Sequence, residues 1–452
     1  MKVVKFGGSS VANAQQILKI IDIVKADADR RIVVVSAPGK RFSDDIKVTD
    51  LLIAMGEAAI AGKSHEDELA AVVSRYAEIQ QELKLDADIV TQIEQDLRTR
   101  ISNRSANDAQ FMDTVKAAGE DNNAKIIAQG FCMQGIPARY IDPRAAGMLL
   151  NDDFGNAQVL PESYENLSTL KQEPQIGIFP GFFGYTKGGE VATFPRGGSD
   201  ITGAILAAAV KADVYENFTD VDSVFAIDPR VVENAPAISL LTYREMRELA
   251  YAGFGVFHDE AIVPAVQANV PICIKNTNSP TAPGTMIAPE RKYEHAGVTG
   301  IASATGFTAI YLSKYMMNRE VGFGRRLLQI LEEEGISFEH APSGIDNMSV
   351  IVRSDPFTPE KEAHVLGRIE NELSTDELSI EHNLALIMIV GEGMRYSVGI
   401  AAHACEALAD AGVNIEMINQ GSSEISIMFG VKEVDRKQAV QALGKRLFDL
   451  DA

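Results

Sequence analysis

The sequence predicts an α/β domain followed by two smaller α/β modules, and two patterns support this. In the first 300 residues, short apolar strands alternate with helices, which is typical of a mainly parallel sheet sandwiched by helices. In the last 150 residues, an internal repeat returns after 77 positions, as with Gly322 and Gly399. Each copy has the element order of a ferredoxin-like βαββαβ module.

Strands of the first part are predicted at continuous apolar runs, because a parallel strand is buried on both faces. These runs are Lys2–Phe6, Ile32–Ser36, Gln175–Phe179, Val214–Phe218 and Ile272–Lys275. Helical patterns such as Ala14–Ala26 and Ser199–Val210 lie between them. Residues 64–103 are charged, helix-periodic and free of Gly and Pro, which predicts a helical insertion. The polar stretch Asn276–Pro289 predicts the closing loop and the edge of this domain.

The repeat divides the remainder of the chain. GFGRRLLQILEEEGISFE begins at Gly322, and GIAAHACEALADAGVNIE begins at Gly399. We predict a first domain at 1–295, a first module at 300–380 and a second module at 381–452. A duplicated packing unit without a ligand is the plain explanation, and a regulatory pair of modules is the one we favour.

Composition excludes several classes of protein. Of 452 residues, 46% are hydrophobic and 23% are charged, which is typical of a soluble globular protein. The formal charge of −21 argues against nucleic acid or an anionic membrane as a partner. Cys132, Cys273 and Cys405 form no CxxC pair, which argues against a zinc site and favours a reducing cytoplasm. We see no signal-peptide pattern and no apolar run of about 18 residues that would span a membrane.

The stretch VVKFGGSSV is the first candidate for binding an anion. It lacks the GxxxxGK[ST] pattern of a P-loop, yet it places Lys5 beside Gly7 and Gly8. Glycines let backbone N–H groups approach a phosphate closely, and a lysine adds positive charge. A purely structural Gly-Gly turn is the commoner explanation for this stretch alone.

A second Gly-Gly turn, FPRGGSD, opens a helix. Arg196 offers a planar fork that suits a carboxylate or a phosphate. Ser199 and Asp200 are also explained as a helix cap and a first-turn acid. Two such turns beside cations make a shared ligand site the better interpretation.

A third polar stretch, NFTDVDSVFAIDPR, follows the predicted strand at Val214–Phe218. Thr219, Asp220 and Asp222 crowd the end of that strand, and Arg230 follows a turn. Ligands of open α/β sheets bind at the carboxyl ends of strands. The alternative is an ordinary acidic loop.

Together, KFGGSSV, RGGSD and FTDVDSVFAIDPR resemble the amino acid kinase family, and within it the aspartate kinases. SAPGKRFSDDIKVTDLL, AAGEDNNAKIIA, FGVFHDEAI and PGT resemble further segments of that family. The repeat resembles two ACT domains, which sense amino acids. The resemblance covers about residues 1–450 and contains no dehydrogenase domain, so we expect a monofunctional form.

The resemblance implies transfer of the γ-phosphoryl group of ATP to the β-carboxylate of L-aspartate. The product, 4-phospho-L-aspartate, leads toward lysine, threonine and methionine. The implied catalytic pair is Lys5 and Asp200. The implied ATP-binding residues are Lys5, Gly7, Gly8, Thr219, Asp220, Phe225 and Arg230. The implied aspartate-binding residues are Thr49, Glu120, Arg196 and Ser199.

The chemistry is consistent with this short set of residues. The acceptor carboxylate has a reference pKa of about 3.9, so it is ionised at neutral pH and needs no general base. We therefore interpret His258 as structural. Mg²⁺ is expected to arrive with the nucleotide, and we assign no protein ligand to it. Gly255 stands where many relatives have a lysine, and Lys40 or Lys275 is a candidate replacement.

The ACT resemblance implies feedback by an amino acid, with lysine or threonine as candidates. The implied effector residues are Asn318, Gly322, Phe323, Gly324, Phe338, Glu339 and Ser343. Glu339 and its counterpart Glu416 are equally well explained as solvated strand ends. ACT modules usually pair across chains, which implies a homodimer or a larger oligomer. The alternatives are a kinase for glutamate or N-acetylglutamate and a non-catalytic amino-acid sensor.

Overall fold

A computed structural model describes residues 1–254, 259–291 and 297–450, and the chain divides into two compact units. The first unit comprises Met1–Val224, Ala237–Met246 and Val256–Arg291. The second comprises Phe225–Pro236, Arg247–Gly255 and Lys292–Ala452. No helix within the described ranges is both long and apolar enough to cross a membrane.

Within the described residues, twelve strands precede residue 290. They are β1 (Lys2–Phe6), β2 (Arg30–Val35), β3 (Ala138–Tyr140), β4 (Ile176–Pro180), β5 (Phe183–Tyr185), β6 (Val191–Thr193), β7 (Val214–Thr219), β8 (Val224–Phe225), β9 (Ala237–Ile238), β10 (Leu240–Thr242), β11 (Ile272–Asn276) and β12 (Thr285–Ala288).

Eight of these strands form one sheet in the order β10-β12-β11-β7-β1-β2-β4-β3. The six strands from β11 to β3 are parallel, and β12 runs antiparallel to β11. β10 pairs with β12 on its other side, so β12, in the predicted closing segment, is not the edge strand of the sheet. The separate pair β5–β6 is antiparallel.

Eleven α-helices accompany these strands in the part of the chain that the structure describes. They are α1 (Ala14–Lys25), α2 (Val48–Ile60), α3 (Glu66–Leu83), α4 (Asp88–Ser102), α5 (Asp108–Lys116), α6 (Ala118–Met133), α7 (Pro143–Ala146), α8 (Glu162–Ser168), α9 (Gly198–Val210), α10 (Tyr243–Tyr251) and α11 (Val263–Gln267).

Local sequence explains why these helices begin where they do and which face they bury. The Asn13 side chain accepts a hydrogen bond from the Gln16 N–H and so caps α1. The apolar residues of α1 recur at helical spacing, and Ile17, Ile20 and Ile21 are buried in the core against the sheet. The predicted insertion contains α3 and α4, whose apolar faces join the same core.

The second unit contains a six-stranded antiparallel sheet in the order β14-β15-β13-β16-β18-β17. Its elements are β13 (Gly300–Ser313), α12 (Phe323–Glu333), β14 (Phe338–His340), β15 (Asn347–Arg353), α13 (Pro359–Leu373), β16 (Glu377–Val390), α14 (Ile400–Asp410), β17 (Met417–Gln420), β18 (Ser426–Lys432) and α15 (Arg436–Phe448). Apolar side chains of α12 and α13 form a core against β13 and β15.

The two modules share their longest strands. Residues 307–313 of β13 pair with β15, whereas residues 300–304 pair with the half of β16 that also pairs with β18. The second module therefore takes one strand from the first five residues of the predicted first module. The predicted boundary at 380/381 falls inside β16.

The repeat has the same backbone form in both copies. Gly322 and Gly399 cap α12 and α14 with φ of +81° and +98°, a conformation that favours glycine. Gly335 and Gly412 end these helices, each with φ of +67°. The predicted fold class, a mainly parallel sheet sandwiched by helices and followed by two ferredoxin-like modules, is confirmed.

Candidate active site

The carboxyl ends of five neighbouring strands meet at one edge of the large sheet. In spatial order these strands are β11, β7, β1, β2 and β4. Thr277, Asp220, Gly7, Ser36 and Gly181 follow them in the chain. Because ligands of open α/β sheets bind outside this edge, the predicted motifs converge on the expected place.

Lys5 lies at this edge in a buried ion pair. Its Nζ is 2.6 Å from Oδ1 of Asp200, and its side chain is 9% exposed. The side-chain amide of Asn217 donates to the same carboxylate oxygen at 2.6 Å. The Tyr215 hydroxyl donates to the backbone carbonyl of Asp200 at 3.2 Å. Asp200 therefore fixes the position of the ammonium, and β7 fixes the position of Asp200.

The first Gly-Gly turn lies beside this ammonium. A Cβ on Gly7 would be 3.4 Å from Nζ of Lys5, and the Gly7 N–H donates to the carbonyl of Phe218 at 3.3 Å. A single turn of 3-10 helix, Gly8–Val11, separates the turn from α1. The turn is therefore a close neighbour of Lys5, although α1 begins only at residue 14.

The second turn opens α9, which begins at Gly198, so Ser199 is not its cap, and the explanation of Ser199 as a helix cap is corrected. Gly197 has φ of +85° and caps the helix. Ser199 is buried, and a Cβ on Gly181 would lie 2.5 Å from its Oγ, so α9 contacts the end of β4 closely. Arg196 is exposed, and no hydrogen bond or ion pair within the described ranges engages its guanidinium.

Glu120 is a buried carboxyl group in the first turn of α6. It is 5% exposed and accepts a hydrogen bond from the backbone of Ala37, whereas its Oε2 has no partner among the described residues. Burial raises the pKa of Glu120 from 4.5 to about 8, and the charge of Lys116 offsets only part of this rise. An unpaired buried carboxyl oxygen of this kind is suited to receive an ammonium group.

Thr49 lies in the first turn of α2 and is half-buried. Residues 36–47 form the loop that precedes α2, and we call this segment the 36–47 loop. The Val48 N–H donates to the carbonyl of Pro38 at 3.1 Å, so the start of α2 is joined to this loop. Lys40, in the same loop, is exposed and donates to the carbonyl of Ser43 at 3.1 Å.

The end of β7 carries Thr219 and the exposed Asp220, whose side chains are joined by a 3.1 Å hydrogen bond. The Asn276 side chain donates to Asp222 at 2.7 Å, and Lys275 donates to the carbonyl of Ala282 at 3.1 Å. Lys275 is therefore already engaged by its own loop.

Two of the predicted ATP-binding residues, Phe225 and Arg230, belong to the second unit. Phe225 is half-buried, and the exposed Arg230 guanidinium is paired with Asp228 at 2.8 Å. Gly255 and His258 lie outside the described residues.

The predicted effector residues fall into two groups in the first module. Around the turn that opens α12, Gly322 is exposed, Phe323 is buried, and Gly324 is half-buried. The Asn318 N–H donates to the carbonyl of Ile345 at 3.1 Å, which brings it beside the segment that contains Ser343. Phe338 and Glu339 lie instead on β14.

Glu339 is already engaged there. Its carboxylate accepts a 3.0 Å ion-paired hydrogen bond from Arg353 and a hydrogen bond from the Tyr251 hydroxyl. The counterpart Glu416 accepts from Asn414 at 2.8 Å. Of the two groups, the α12 turn is the more accessible to an amino acid.

Sequence reasoning did not single out several residues of the site. Asn217 is a polar residue in a strand that was predicted from its apolar residues. Because Tyr215 and Asn217 are two positions apart, their side chains lie on the same face of β7, and both contact Asp200. A Cβ on Gly39 would lie 2.5 Å from the backbone of Gly8, a contact between segments that no local pattern reveals. Ser10 and Thr277 also share a buried 2.7 Å hydrogen bond.

Comparisons with known proteins identify the family of the chain. The amino acid kinase family matches residues 1–276, and an ACT domain family matches residues 387–447. Aspartokinase 3 of Bacillus subtilis is 56% identical over 448 residues, which is 99% of each chain. The chain belongs to the aspartate kinases of the amino acid kinase family.

Solved structures of two aspartate kinases share the fold along the whole length of the chain. The Clostridium acetobutylicum aspartate kinase is 38% identical with a TM-score of 0.88, covering 99% of this chain and 100% of that one. Escherichia coli aspartokinase III in complex with aspartate and ADP is 26% identical with a TM-score of 0.80, over 99% and 100% of the two chains. In complex with lysine and aspartate it is 25% identical with a TM-score of 0.76, over 99% of each chain.

These matches confirm both the family and the activity that the motifs predict. An aspartate kinase binds a nucleotide and an amino-acid substrate, and ACT domains provide feedback by an amino acid.

Proposed function

We propose that Lys5 is the central catalytic residue of this aspartate kinase and that Asp200 positions it. The buried ion pair between Lys5 and Asp200, beside the Gly7–Gly8 turn, is the observation that carries this proposal. The ammonium would stabilise negative charge on the transferring phosphoryl group, and the backbone at Gly7 and Gly8 would line the phosphates.

Aspartate binds through four residues in this proposal. Arg196 has no partner in the described chain, so it is free to pair with a substrate carboxylate. Glu120 would receive the substrate ammonium through its unpaired Oε2. Ser199 lies beside the end of β4, and Thr49 lies beside the 36–47 loop, so both belong to the same edge of the sheet.

The reaction needs positioning and charge stabilisation more than proton transfer. A β-carboxylate oxygen of aspartate attacks the γ-phosphorus of ATP, the bond from that phosphorus to the bridging oxygen breaks, and ADP leaves with the bonding electrons. The attacking carboxylate is already ionised at neutral pH, so no side chain must remove a proton.

The proposal includes Mg²⁺ bound mainly through the nucleotide. Among the described residues, no group of three or more His, Cys, Asp or Glu is arranged to hold a metal ion, whereas ATP supplies phosphate oxygens. When bound, the ion offsets charge on the phosphates.

The family motif is the basis for retaining four further residues as ATP-binding. They are Thr219 and Asp220, at the end of β7, together with Phe225 and Arg230. Escherichia coli aspartokinase III is known with ADP and aspartate, which supports this nucleotide and this acceptor.

Regulation is proposed through the first ACT module. The turn at Gly322–Gly324 presents backbone N–H groups for an effector carboxylate, and Asn318 and Ser343 lie close to it. Lysine is the first effector to test, because Escherichia coli aspartokinase III is known with lysine. Threonine is the second effector to test.

We also propose that the chain forms a homo-oligomer through the ACT modules. The proposed location is the cytoplasm, which the free cysteines favour.

The test is turnover of ATP with aspartate as acceptor, with hydroxylamine to trap the acyl phosphate as a hydroxamate. Aspartate-dependent hydroxamate, reduced by lysine or threonine, is the expected result. Glutamate and N-acetylglutamate serve as control acceptors, and hydroxamate from either in place of aspartate would contradict the substrate assignment. Binding of an amino acid without any hydroxamate would instead indicate a non-catalytic sensor.

A further inference from the structure

Arg75 is a buried arginine in α3, within the charged insertion that the catalytic motifs do not include. Only 4% of its side chain is exposed. Its two terminal nitrogens donate to the carbonyl of Gly39 at 3.3 and 3.1 Å, and Nη2 also donates to Asp45 at 2.8 Å and to the carbonyl of Ile46 at 2.9 Å. One guanidinium therefore binds the 36–47 loop at three positions.

Asp45 completes this attachment. Hydrogen bonds from Arg41, together with the charge of Arg75, hold the pKa of the Asp45 carboxyl well below its usual range. The carboxylate is thus charged at neutral pH. Burial lowers the pKa of Arg75, but an arginine remains protonated in proteins, so the pair is permanently ionic.

On the outer side of the loop, Arg41 makes one further ion pair to α3, with the exposed Glu78, and a solvent-exposed pair of this kind contributes little. Residues 40–44, 46 and 47 are exposed, including the apolar side chains of Phe42 and Ile46. Apolar burial therefore contributes little to the conformation of this segment. The fork of Arg75, which bonds two backbone carbonyls and a carboxylate at once, has the geometry to define it.

The inner side of the loop contacts three parts of the proposed site. The Gly39 N–H donates to the carbonyl of Gly8 at 2.8 Å, in the turn proposed to face the phosphates. The backbone of Ala37 hydrogen-bonds the carboxyl group of Glu120, proposed to bind the ammonium of aspartate. The carbonyl of Pro38 accepts from Val48, immediately before Thr49.

The residue after Arg75 makes a matching contact. Tyr76 is fully buried, and its hydroxyl donates to the carbonyl of Gly119 at 2.7 Å. Gly119 precedes Glu120 and has no room for a side chain, since a Cβ there would lie 2.8 Å from Cβ of Ala37. Consecutive residues of α3 thus bind the backbone on both sides of the Ala37–Glu120 contact.

We propose that Arg75 is a positioning residue for phosphoryl transfer, which acts by fixing the 36–47 loop against the Gly8 turn and Glu120. This inference rests on the proposed function, because its targets are residues of the proposed site. It assigns the α3 insertion a role in aligning the two substrates, since a shift of about 1 Å at a reacting centre costs up to about a hundredfold in rate.

Steady-state kinetics with both substrates test the proposal, using Arg75→Met, Arg75→Lys and the control Arg98→Met. Arg98 lies in the same insertion and is exposed. Its ion-pair partners are Glu66 and Glu94, which are not part of the 36–47 loop. In Arg75→Met we expect kcat/KM for aspartate to fall about tenfold to a hundredfold, with a smaller increase in KM for ATP. Arg75→Lys retains the charge but not the fork, so an intermediate loss is expected. Arg98→Met should remain within about twofold of wild type.

A purely structural role for Arg75 predicts a different pattern. It would lower the melting temperature while leaving the kinetic constants unchanged when they are measured well below that temperature. Kinetics within about twofold of wild type in Arg75→Met would therefore overturn the proposal. If Arg75→Met does not fold, Arg75→Lys decides the question by the same criterion.

Hydrogen exchange of the loop separates this proposal from the proposed function. The Gly39 amide should exchange at least about tenfold faster in Arg75→Met than in wild type, and this readout does not depend on activity. Unchanged protection at Gly39 would refute the positioning role even in an active enzyme. If wild type formed no hydroxamate while the loop responded as expected, the proposed function would fail and the attachment by Arg75 would stand.

Discussion

The ammonium of Lys5, on β1, lies 2.6 Å from a carboxylate oxygen of Asp200, on α9. This pair joins the two Gly-Gly turns of the sequence, because Gly7 follows β1 and Gly197 precedes Asp200. Asn217 adds a second donor to the same oxygen. A buried lysine with one carboxylate partner retains a charge that is available to a phosphate, which is the physical basis for placing the chemistry there.

Lys5→Met should abolish most of the turnover without unfolding the protein. Loss of one preorganised charge typically costs about 10²–10³ in kcat. Asp200 retains its hydrogen bond from Asn217, so we expect a stability loss of only about 1–3 kcal/mol. Hydroxamate formation and thermal unfolding measure the two effects. Lys19→Met, which removes an exposed lysine bonded to Asn278, is the control and should be near wild type in both.

Arg196→Ala should raise KM for aspartate by at least about tenfold and KM for ATP far less. The guanidinium is exposed and has no partner in the described chain, so the free energy of unfolding should change by less than about 0.5 kcal/mol. Initial rates over a grid of both substrates measure the two constants. Arg104→Ala provides an exposed-arginine control. Equal increases in both KM values would contradict the assignment of Arg196 to aspartate.

Aspartate binding should be coupled to proton release through Glu120. Its pKa is about 8 in the free protein, so the group is mostly protonated at pH 7, whereas an ammonium ligand favours the carboxylate. Titration calorimetry at pH 7 in buffers of different ionisation enthalpy should detect release of about one proton per aspartate. The affinity should increase as the pH rises toward 8. Glu120→Gln should bind weakly and release no proton at this step.

The same group should affect stability in the absence of substrate. Because its folded-state pKa lies above the usual 4.5, the folded protein keeps a proton that the unfolded chain loses between pH 4.5 and 8. The free energy of unfolding contributed by Glu120 therefore declines as pH rises through this window. Denaturant unfolding should show Glu120→Gln gaining stability relative to wild type between pH 5 and about 8. A constant difference across that range would argue against a raised pKa.

Two glycine substitutions should have opposite effects. A Cβ at Gly39 would lie 2.5 Å from the backbone of Gly8, so Gly39→Ala should destabilise the protein by about 1–3 kcal/mol and weaken ATP binding. Gly367 lies in α13 with open space around it, so Gly367→Ala should stabilise by about 0.5–1 kcal/mol. Thermal unfolding compares the two. A tolerated Gly39→Ala would show that the loop and the turn are not in fixed contact.

Asn318→Ala should weaken feedback and leave uninhibited turnover unchanged. Asn318 lies beside the α12 turn and the segment at Ile345, where an effector carboxylate is proposed to bind. We expect the concentration of lysine or threonine at half-inhibition to rise about tenfold, which is a loss of about 1.4 kcal/mol in binding. Asn371→Ala, on the exposed face of α13, is the control within the same module. Full inhibition at the wild-type concentration would remove Asn318 from the effector site.

The sequence by itself determined the strands of the parallel sheet and the positions of the motifs. β1 has the predicted bounds, and β2, β4, β7 and β11 differ from prediction by at most two residues at either end, because continuous apolar runs encode burial locally. The glycines at 322 and 399 likewise indicated where helices begin, because a left-handed backbone conformation favours glycine at that one position. Lys5 and Arg196 were recognisable because a cation beside a Gly-Gly turn is a pattern within a few residues.

Only the tertiary structure decided which distant groups meet. The pairing of residues 300–304 with β16, the attachment of the 36–47 loop by Arg75 and the Asn217–Asp200 hydrogen bond all join positions far apart in the chain. The raised pKa of Glu120 has the same origin, because burial depends on what packs around the group and not on its sequence neighbours. Periodicity and turn chemistry are written in consecutive residues, whereas contacts and desolvation arise only when the chain is packed.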